Sequence, residues 1–164
     1  MSKTLPAAEL LWQQFDYDPL RGRLIRKLSG GEKKPQRLLA HTTNGYRSFC
    51  IGGTFYEHRL VWKWVTGEEP GGHVDHRNRD RQCNRFGNLR LLPDSLNRWT
   101  TTKPGYHWRQ DRNCFAARVS NLNGKKLCFY TKSEEEAKNW VLEMREEVIQ
   151  AGLRELVQAN SAAT

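Results

Sequence analysis

The residues best suited to chemistry in this sequence lie between Val74 and Asn97. Asp75 and His76 are adjacent, and asparagines follow at Asn88 and Asn97. Histidine is the side chain most often used as a general base near neutral pH, so His76 is the candidate base. Asp75 and Asn97 offer oxygen ligands of the kind that Mg²⁺ or Mn²⁺ prefers. One such metal would stabilise the charge that develops during phosphodiester hydrolysis. Asn88 is interpreted as a brace whose amide ties the loop backbone and directs His76.

Each of these residues also has a purely structural interpretation. The Asp75–His76 pair could form a turn or a structural hydrogen bond, Asn88 could be a turn residue beside Gly87, and Asn97 could be an ordinary polar helix residue. The chemical interpretation therefore depends on the four residues acting together.

Basic residues are interleaved with these candidates. Those predicted to contact DNA in this stretch are Arg77, Arg79, Arg81 and Arg85. The chain of 164 residues has a formal net charge of +9 and a pI of about 9.7. Residues 1–104 hold 18 Lys and Arg against 10 Asp and Glu, so +8 of this charge lies in the part that holds the candidates. Such a balance favours a polyanionic partner, usually nucleic acid, with a merely soluble basic surface as the alternative.

Composition narrows the class of protein further. The four cysteines are scattered without a C-x-x-C pair, so we expect no structural zinc site. No run of about 18 apolar residues occurs, and no signal peptide is visible, so we expect no membrane association. A cytoplasmic location is predicted.

The elements that must position the candidates can be placed by periodicity and turn residues. Before the site we predict a helix up to Phe15, a hairpin over Tyr46–Ile51 and Phe55–His58, and a buried helix over Leu60–Val65 that ends at Gly67. The site itself is read as a strand closing at Asp75–His76, an arginine-rich loop, a strand over Asn88–Leu92, and a helix over Leu96–Trp99.

The C-terminal part has a different pattern. After a linker at residues 100–104, three strands are predicted over Gly105–Arg109, Cys114–Asn121 and Lys125–Tyr130. A helix follows from the capping box that begins at Ser133. We therefore expect three segments: residues 1–102 with the site and an N-terminal DNA-contacting part, residues 103–150, and a tail over residues 151–164.

The order and approximate spacing of Asp75–His76, Asn88 and Asn97 resemble the HNH, or ββα-metal, nuclease signature. The flanking F-D-Y-D-P-L-R-G-R-L at residues 15–24 and H-R-L-V-W at residues 58–62 are similar to phage and intron homing endonucleases. The resemblance implies His76 as general base, Asp75 and Asn97 as metal ligands, and Asn88 as the residue that positions the base. It also implies 5′-phosphate and 3′-hydroxyl products.

Residues 105–148 resemble the AP2-type DNA-binding domain, through G-Y-H-W at 105–108, F-A-A-R-V at 115–119 and S-E-E-E-A-K-N-W at 133–140. The resemblance implies a three-stranded sheet lying in the major groove. Strand alternation then gives outward-facing candidates for DNA contact at His107, Arg109, Arg118 and Lys126. The alternative is a small αβ module that serves stability or protein contact.

Taken together, the sequence predicts an α+β protein. Its nuclease domain has an N-terminal helix, a small antiparallel sheet and a ββα motif, and its C-terminal domain has three antiparallel strands and one helix. The predicted function is a site-specific, metal-dependent homing endonuclease that nicks double-stranded DNA as a monomer. Two alternatives stay open: a non-catalytic, sequence-specific DNA-binding regulator, and an RNA-directed or structure-specific nuclease.

Overall fold

The chain folds as two α+β units in a computed structural model that describes residues 4–27, 44–101 and 103–162. The units are Met1–Asp94 and Ser95–Thr164. The strand pairings within these ranges are all antiparallel. None of the helices in the described ranges combines the length and apolar character that a membrane crossing requires.

The described residues of the first unit form three two-stranded hairpins and two α-helices. In chain order they are α1 (Ala8–Gln14), β1 (Phe15–Asp18), β2 (Arg23–Arg26), β3 (Ser48–Cys50), β4 (Thr54–Tyr56), α2 (Glu57–Thr66), β5 (His73–His76) and β6 (Leu89–Leu92). The strands pair as β1–β2, β3–β4 and β5–β6. Leu11, Phe15 and Leu60 are almost completely buried, so the core lies where α1, β1 and α2 meet.

Two features of the first unit differ from the prediction. No strand was predicted directly after the first helix, but Phe15–Asp18 form strand β1 and pair with β2. Helix α2 begins at Glu57, whereas Glu57 and His58 were predicted on the return strand of the hairpin. A carboxylate in the first helical turn suits the positive end of the helix dipole. The predicted end of this helix is confirmed: Gly67 has φ 78° and donates its N–H to the Lys63 carbonyl at 2.8 Å.

The second unit is a three-stranded sheet with one face covered by a long helix. Strands β7 (Tyr106–Arg109), β8 (Cys114–Ser120) and β9 (Lys126–Thr131) pair in that order, and α4 spans Glu134–Ala162. Ala117 is buried, and the Phe129 ring stacks on Trp140 of α4 at 5.5 Å between centroids. The predicted strands, and the helix on one face of their sheet, are confirmed.

The two compact units divide at residues 94/95, whereas the predicted domains divide at residues 102/103. A short helix, α3 (Asp94–Asn97), and a 3-10 turn over Arg98–Thr100 lead into the sheet. The buried Leu96 packs so closely on Gly152 that its Cδ2 would lie 2.5 Å from an added Cβ. Trp99 donates its indole N–H to the Ser120 carbonyl at 2.9 Å. Residues 151–162 also do not form a separate tail, because they continue α4.

Candidate active site

The hairpin of β5 and β6 places Asp75 opposite Arg90 and His76 opposite Leu89. Arg90 donates from Nε to Oδ2 of Asp75 at 2.9 Å, and the two side chains are 4% and 19% exposed. The other carboxylate oxygen of Asp75, Oδ1, has no partner among the described residues. One oxygen of Asp75 is thus held by a cation of the protein, and the other is open to a ligand.

The imidazole of His76 is buried and held at one nitrogen. His76 is 3% exposed, and its Nε2 lies 2.8 Å from Oδ1 of Asn84. Its Nδ1 has no partner among the described residues. Within the same ranges, Gln14 Oε1 is the one solvent-inaccessible side-chain nitrogen or oxygen that lacks a hydrogen-bond partner. Because Nδ1 of His76 also lacks a partner but is not such an atom, it retains contact with solvent. The ring is therefore fixed from the inside and open on its other nitrogen.

Asn84 and Glu57, which hold this ring from behind, were missed by the sequence analysis. Asn84 is 1% exposed and donates from Nδ2 to Oε2 of Glu57 at 2.8 Å. Glu57 is completely buried and also accepts hydrogen bonds from Arg47, Arg23 and the Leu24 backbone. A glutamate on the predicted return strand of a hairpin gives no signal of such burial. Its presence at the first position of a buried helix would have been the one available hint.

Tyr17 of β1 fixes the backbone of the same loop. Its hydroxyl donates to the Asn84 carbonyl at 3.1 Å and accepts from the Phe86 N–H at 2.8 Å. Burial raises the pKa of the Tyr17 hydroxyl above its ordinary value, so the group keeps its proton and can donate. The strand that the sequence analysis missed thus supports the residue that contacts His76.

Asn88 ties together the loop that follows His76. Its Oδ1 accepts from the Asn78 N–H at 3.0 Å, and its Nδ2 donates to the Cys83 carbonyl and to Oδ1 of Asn78, both at 2.8 Å. Its own carbonyl accepts from the Arg77 N–H at 2.8 Å. Because Arg77 directly follows His76, these bonds define the course of the backbone beyond His76.

Asn97 lies at the end of α3 and belongs to the second unit. Both its carbonyl and its Oδ1 accept from the Thr100 hydroxyl, at 2.8 and 3.1 Å. The amide oxygen keeps a second lone pair for another partner. The structure thus groups Asp75, His76 and Asn88 on one hairpin, and Asn97 is described within a different unit.

Two arginines of the loop donate from their guanidinium groups to backbone carbonyls elsewhere in the first unit. Arg81 donates to the Asn44 carbonyl at 2.8 Å and lies over the Tyr46 ring at 4.8 Å, and Arg85 donates to the Leu20 carbonyl at 2.7 Å. Arg77 and Arg79 are exposed, and Arg79 adopts φ 62°. Two of the predicted DNA-contacting arginines therefore also hold the loop to the rest of the first unit.

A second histidine, His58, packs against the candidate base. The His58 and His76 rings meet edge to face at 5.2 Å, and Tyr46 and Tyr56 contact His58 at 5.1 and 5.6 Å. Burial, followed by the charges of His76 and Arg59, lowers the pKa of His58 to about 3. His58 is therefore neutral near pH 7 and forms an uncharged aromatic wall beside His76.

The open face of the second unit carries the other predicted DNA contacts. His107, Arg118 and Lys126 are exposed, and Arg109 is half-buried. Arg109 donates from Nε to Oδ1 of Asp111 at 3.0 Å, and this carboxylate raises the pKa of the guanidinium. The cations of Arg109 and Arg118 thus differ, because within the described part of the chain only Arg109 is paired with an acid.

The donor atoms fit a hard divalent cation. No group of three or more His, Cys, Asp or Glu side chains converges in the described ranges. A single carboxylate oxygen leaves most of the coordination shell to water and phosphate, as is usual for Mg²⁺. The open Oδ1 of Asp75 is the atom of the first unit that would bind it.

Comparisons with known proteins bear on this hairpin directly. No curated protein and no solved structure matches the chain. A family model does match: residues 55–98, well under half of the chain, fit the HNH endonuclease family. The matched segment includes α2, both strands of the β5–β6 hairpin, and all of Asp75, His76, Asn88 and Asn97. The match supports an HNH nuclease domain in residues 55–98, and hence hydrolysis of phosphodiester bonds.

Proposed function

We propose that the protein is a divalent-metal-dependent DNA endonuclease of the homing type in which His76 is the general base. One observation carries the proposal. His76 lies in the segment that matches the HNH family and is held through Nε2, while its Nδ1 has no partner among the described residues. The neighbouring Asp75 is held through Oδ2, and its Oδ1 likewise has no partner in those ranges.

The residues of the chain divide the work of hydrolysis. His76 takes a proton from the attacking water at Nδ1, and burial of the ring keeps its direction fixed. Asp75 would hold the metal through its carboxylate, and Asn97 is proposed as the second ligand from its position in the HNH match alone. Bound there, Mg²⁺ or Mn²⁺ supplies charge stabilisation for the phosphate and the leaving oxygen. Asn88 keeps the loop behind the base in place.

The surrounding cations would hold the substrate. The exposed guanidinium groups of Arg77 and Arg79 lie on the loop that follows His76, where phosphate oxygens of double-stranded DNA would arrive. The open sheet face of the second unit, with its AP2-like sequence, adds contacts that favour particular sites. With one active site per chain, a monomer cuts one strand at each encounter and leaves 5′-phosphate and 3′-hydroxyl ends.

A plasmid-relaxation assay tests the proposal. His76→Ala should abolish nicking in the presence of Mg²⁺ while DNA binding is retained, because general-base catalysis is typically worth about 10²- to 10⁴-fold. His73→Ala is the matched control, since His73 lies on the same strand, is exposed and pairs with Asp94 at 3.0 Å. Chelation by EDTA should stop nicking, and Mg²⁺ or Mn²⁺ should restore it.

The same assay distinguishes the proposed nuclease from the main alternative, a non-catalytic DNA-binding regulator. A DNA-binding regulator would bind DNA with the same dependence on salt but would leave the plasmid supercoiled under every condition. Nicking that survives His76→Ala would refute the assignment of the base. Nicking that is indifferent to EDTA would refute the metal role of Asp75 and Asn97.

A further inference from the structure

A chain of three buried polar side chains runs from the first residue of α2 to the imidazole of His76. Glu57, Asn84 and His76 are 0%, 1% and 3% exposed. Asn84 lies 2.8 Å from each of the other two, through Nδ2 to Oε2 of Glu57 and through Oδ1 to Nε2 of His76. A buried polar group without a hydrogen-bond partner costs free energy, so each contact among these three side chains restricts the next one.

Glu57 sets which group donates and which accepts in each of these hydrogen bonds. Its carboxylate is contacted by Arg47 Nε at 2.8 Å, Arg23 Nη1 at 3.4 Å and the Leu24 N–H at 3.0 Å. Guanidinium and backbone N–H groups can only donate, so the carboxylate accepts at every one of these contacts. The remaining contact, from Asn84, must be a donor as well, because an amide oxygen turned toward the carboxylate would be repelled.

This requirement selects the proton position on His76. With its NH₂ group directed to Glu57, Asn84 can only present its oxygen to the imidazole. The Nε2 atom must then carry the hydrogen, and a neutral imidazole has only one. The lone pair is left on Nδ1, the nitrogen that has no partner among the described residues and that reaches the surface.

We infer that Glu57 and Asn84 are positioning residues that hold His76 in the Nε2–H tautomer and keep Nδ1 available to accept a proton. The inference rests on the proposed function, because it assigns a purpose to the ring of the proposed base. It goes beyond that function by adding two residues that touch neither substrate nor metal. A purely structural role for the same contacts would stabilise the fold without selecting a tautomer.

The tautomer can be read directly in protein labelled with ¹⁵N-histidine. Two-bond ¹H–¹⁵N spectra at about pH 8.5, where histidines are neutral, should show His76 with its proton on Nε2. The His76 signals are assigned by their loss in His76→Ala. This measurement needs no DNA, no metal and no variant at Glu57 or Asn84.

Variants at Glu57 and Asn84 then distinguish selection of the His76 tautomer from a role in packing alone. In Glu57→Gln the acceptor-only character of the first residue is lost, so the Asn84 amide can turn, the ring should populate both tautomers, and nicking should fall about 10- to 100-fold. In the double variant Glu57→Gln with Asn84→Asp, the second residue can only accept. The Nε2–H tautomer should therefore return, and the nicking rate should rise above that of Glu57→Gln. Arg47→Gln is the control, because it removes a donor from Glu57 but leaves the acceptor for Asn84 in place.

The outcomes distinguish this inference from the proposed function. A wild-type spectrum with the His76 proton on Nδ1 overturns the inference even if the protein nicks DNA. So does a double variant that is no better than Glu57→Gln in tautomer and in rate. If the wild-type protein does not nick DNA, the proposed function fails, and the spectra alone decide whether Glu57 and Asn84 select the tautomer.

Discussion

Acid should destabilise the first unit through His58, a residue that takes no part in the proposed chemistry. The ring is buried among Tyr46, Tyr56 and His76 and has no hydrogen bond among the described residues. Its pKa is about 3 in the folded protein, against about 6.5 in an unfolded chain. Between these values the unfolded state binds one more proton than the folded state. Stability from this group is therefore complete above about pH 6.5 and is lost as the pH falls toward 3.

The size of the loss in stability follows from the pH range between the folded and unfolded pKa values of His58. One proton of difference changes the free energy of unfolding by about 1.4 kcal/mol per pH unit. Lowering the pH from about 7.5 to about 4.5 should thus cost about 3 kcal/mol through His58 alone. Carboxylates also protonate over part of this range, so the quantity to compare is the difference between the wild type and His58→Phe. Phenylalanine keeps the ring contacts but cannot titrate.

The assay is urea unfolding of the intact chain at several pH values, followed by NMR cross-peaks of the first unit. The stability of the wild type relative to His58→Phe should fall by about 3 kcal/mol between about pH 7.5 and 4.5. His73→Gln, which changes an exposed histidine of the same unit, should retain the wild-type profile. Parallel profiles for the wild type and His58→Phe would refute the argument, because they would mean that His58 takes up its proton in the folded state.

Three further predictions follow from contacts around the two proposed functional surfaces. Gly22→Ala should lower the free energy of unfolding by well over 1 kcal/mol, because a Cβ there would lie 2.2 Å from the backbone of the site loop. Gly52→Ala, at the same φ of 64° but with no atom within 4 Å, should show only the strain of about 1 kcal/mol. Glu57→Ala should cost about 1–3 kcal/mol in urea unfolding, since it leaves the buried Asn84 amide and the buried Leu24 N–H without their acceptor; a loss well below about 1 kcal/mol, as for an exposed pair, would contradict this. Arg118→Ala should reduce the slope of log binding constant against log salt by about 0.9, and Arg109→Ala should reduce it less, because Arg109 is already paired with an acid; equal reductions would contradict the distinction.

Local patterns were sufficient for most of the architecture. Alternation and turn residues placed the three strands of the second unit to within a residue or two, and Gly67 correctly marked the end of α2. The boundary at residues 94/95 was not visible locally, because it depends on the contacts of Leu96 and Trp99 with residues far along the chain. Strand β1 was missed for a similar reason. Its aspartates and the following proline indicate a turn, and the pairing with β2 outweighs that tendency.

The candidate site shows the same division between local and distant information. The residues of the HNH match lie within one short segment, so their order and spacing could be read directly from the sequence. The side chains that set the state of His76 come from elsewhere: Glu57 from α2, Asn84 from a loop of polar residues, and Tyr17 from the unexpected strand. A sequence motif can therefore nominate a base, but which nitrogen of the base is free depends on a hydrogen-bond chain that only the folded structure brings together. For this reason Glu57→Gln, which replaces a residue 19 positions before the base and is a change of one atom, is a sharper probe of the proposed chemistry than most substitutions within the motif.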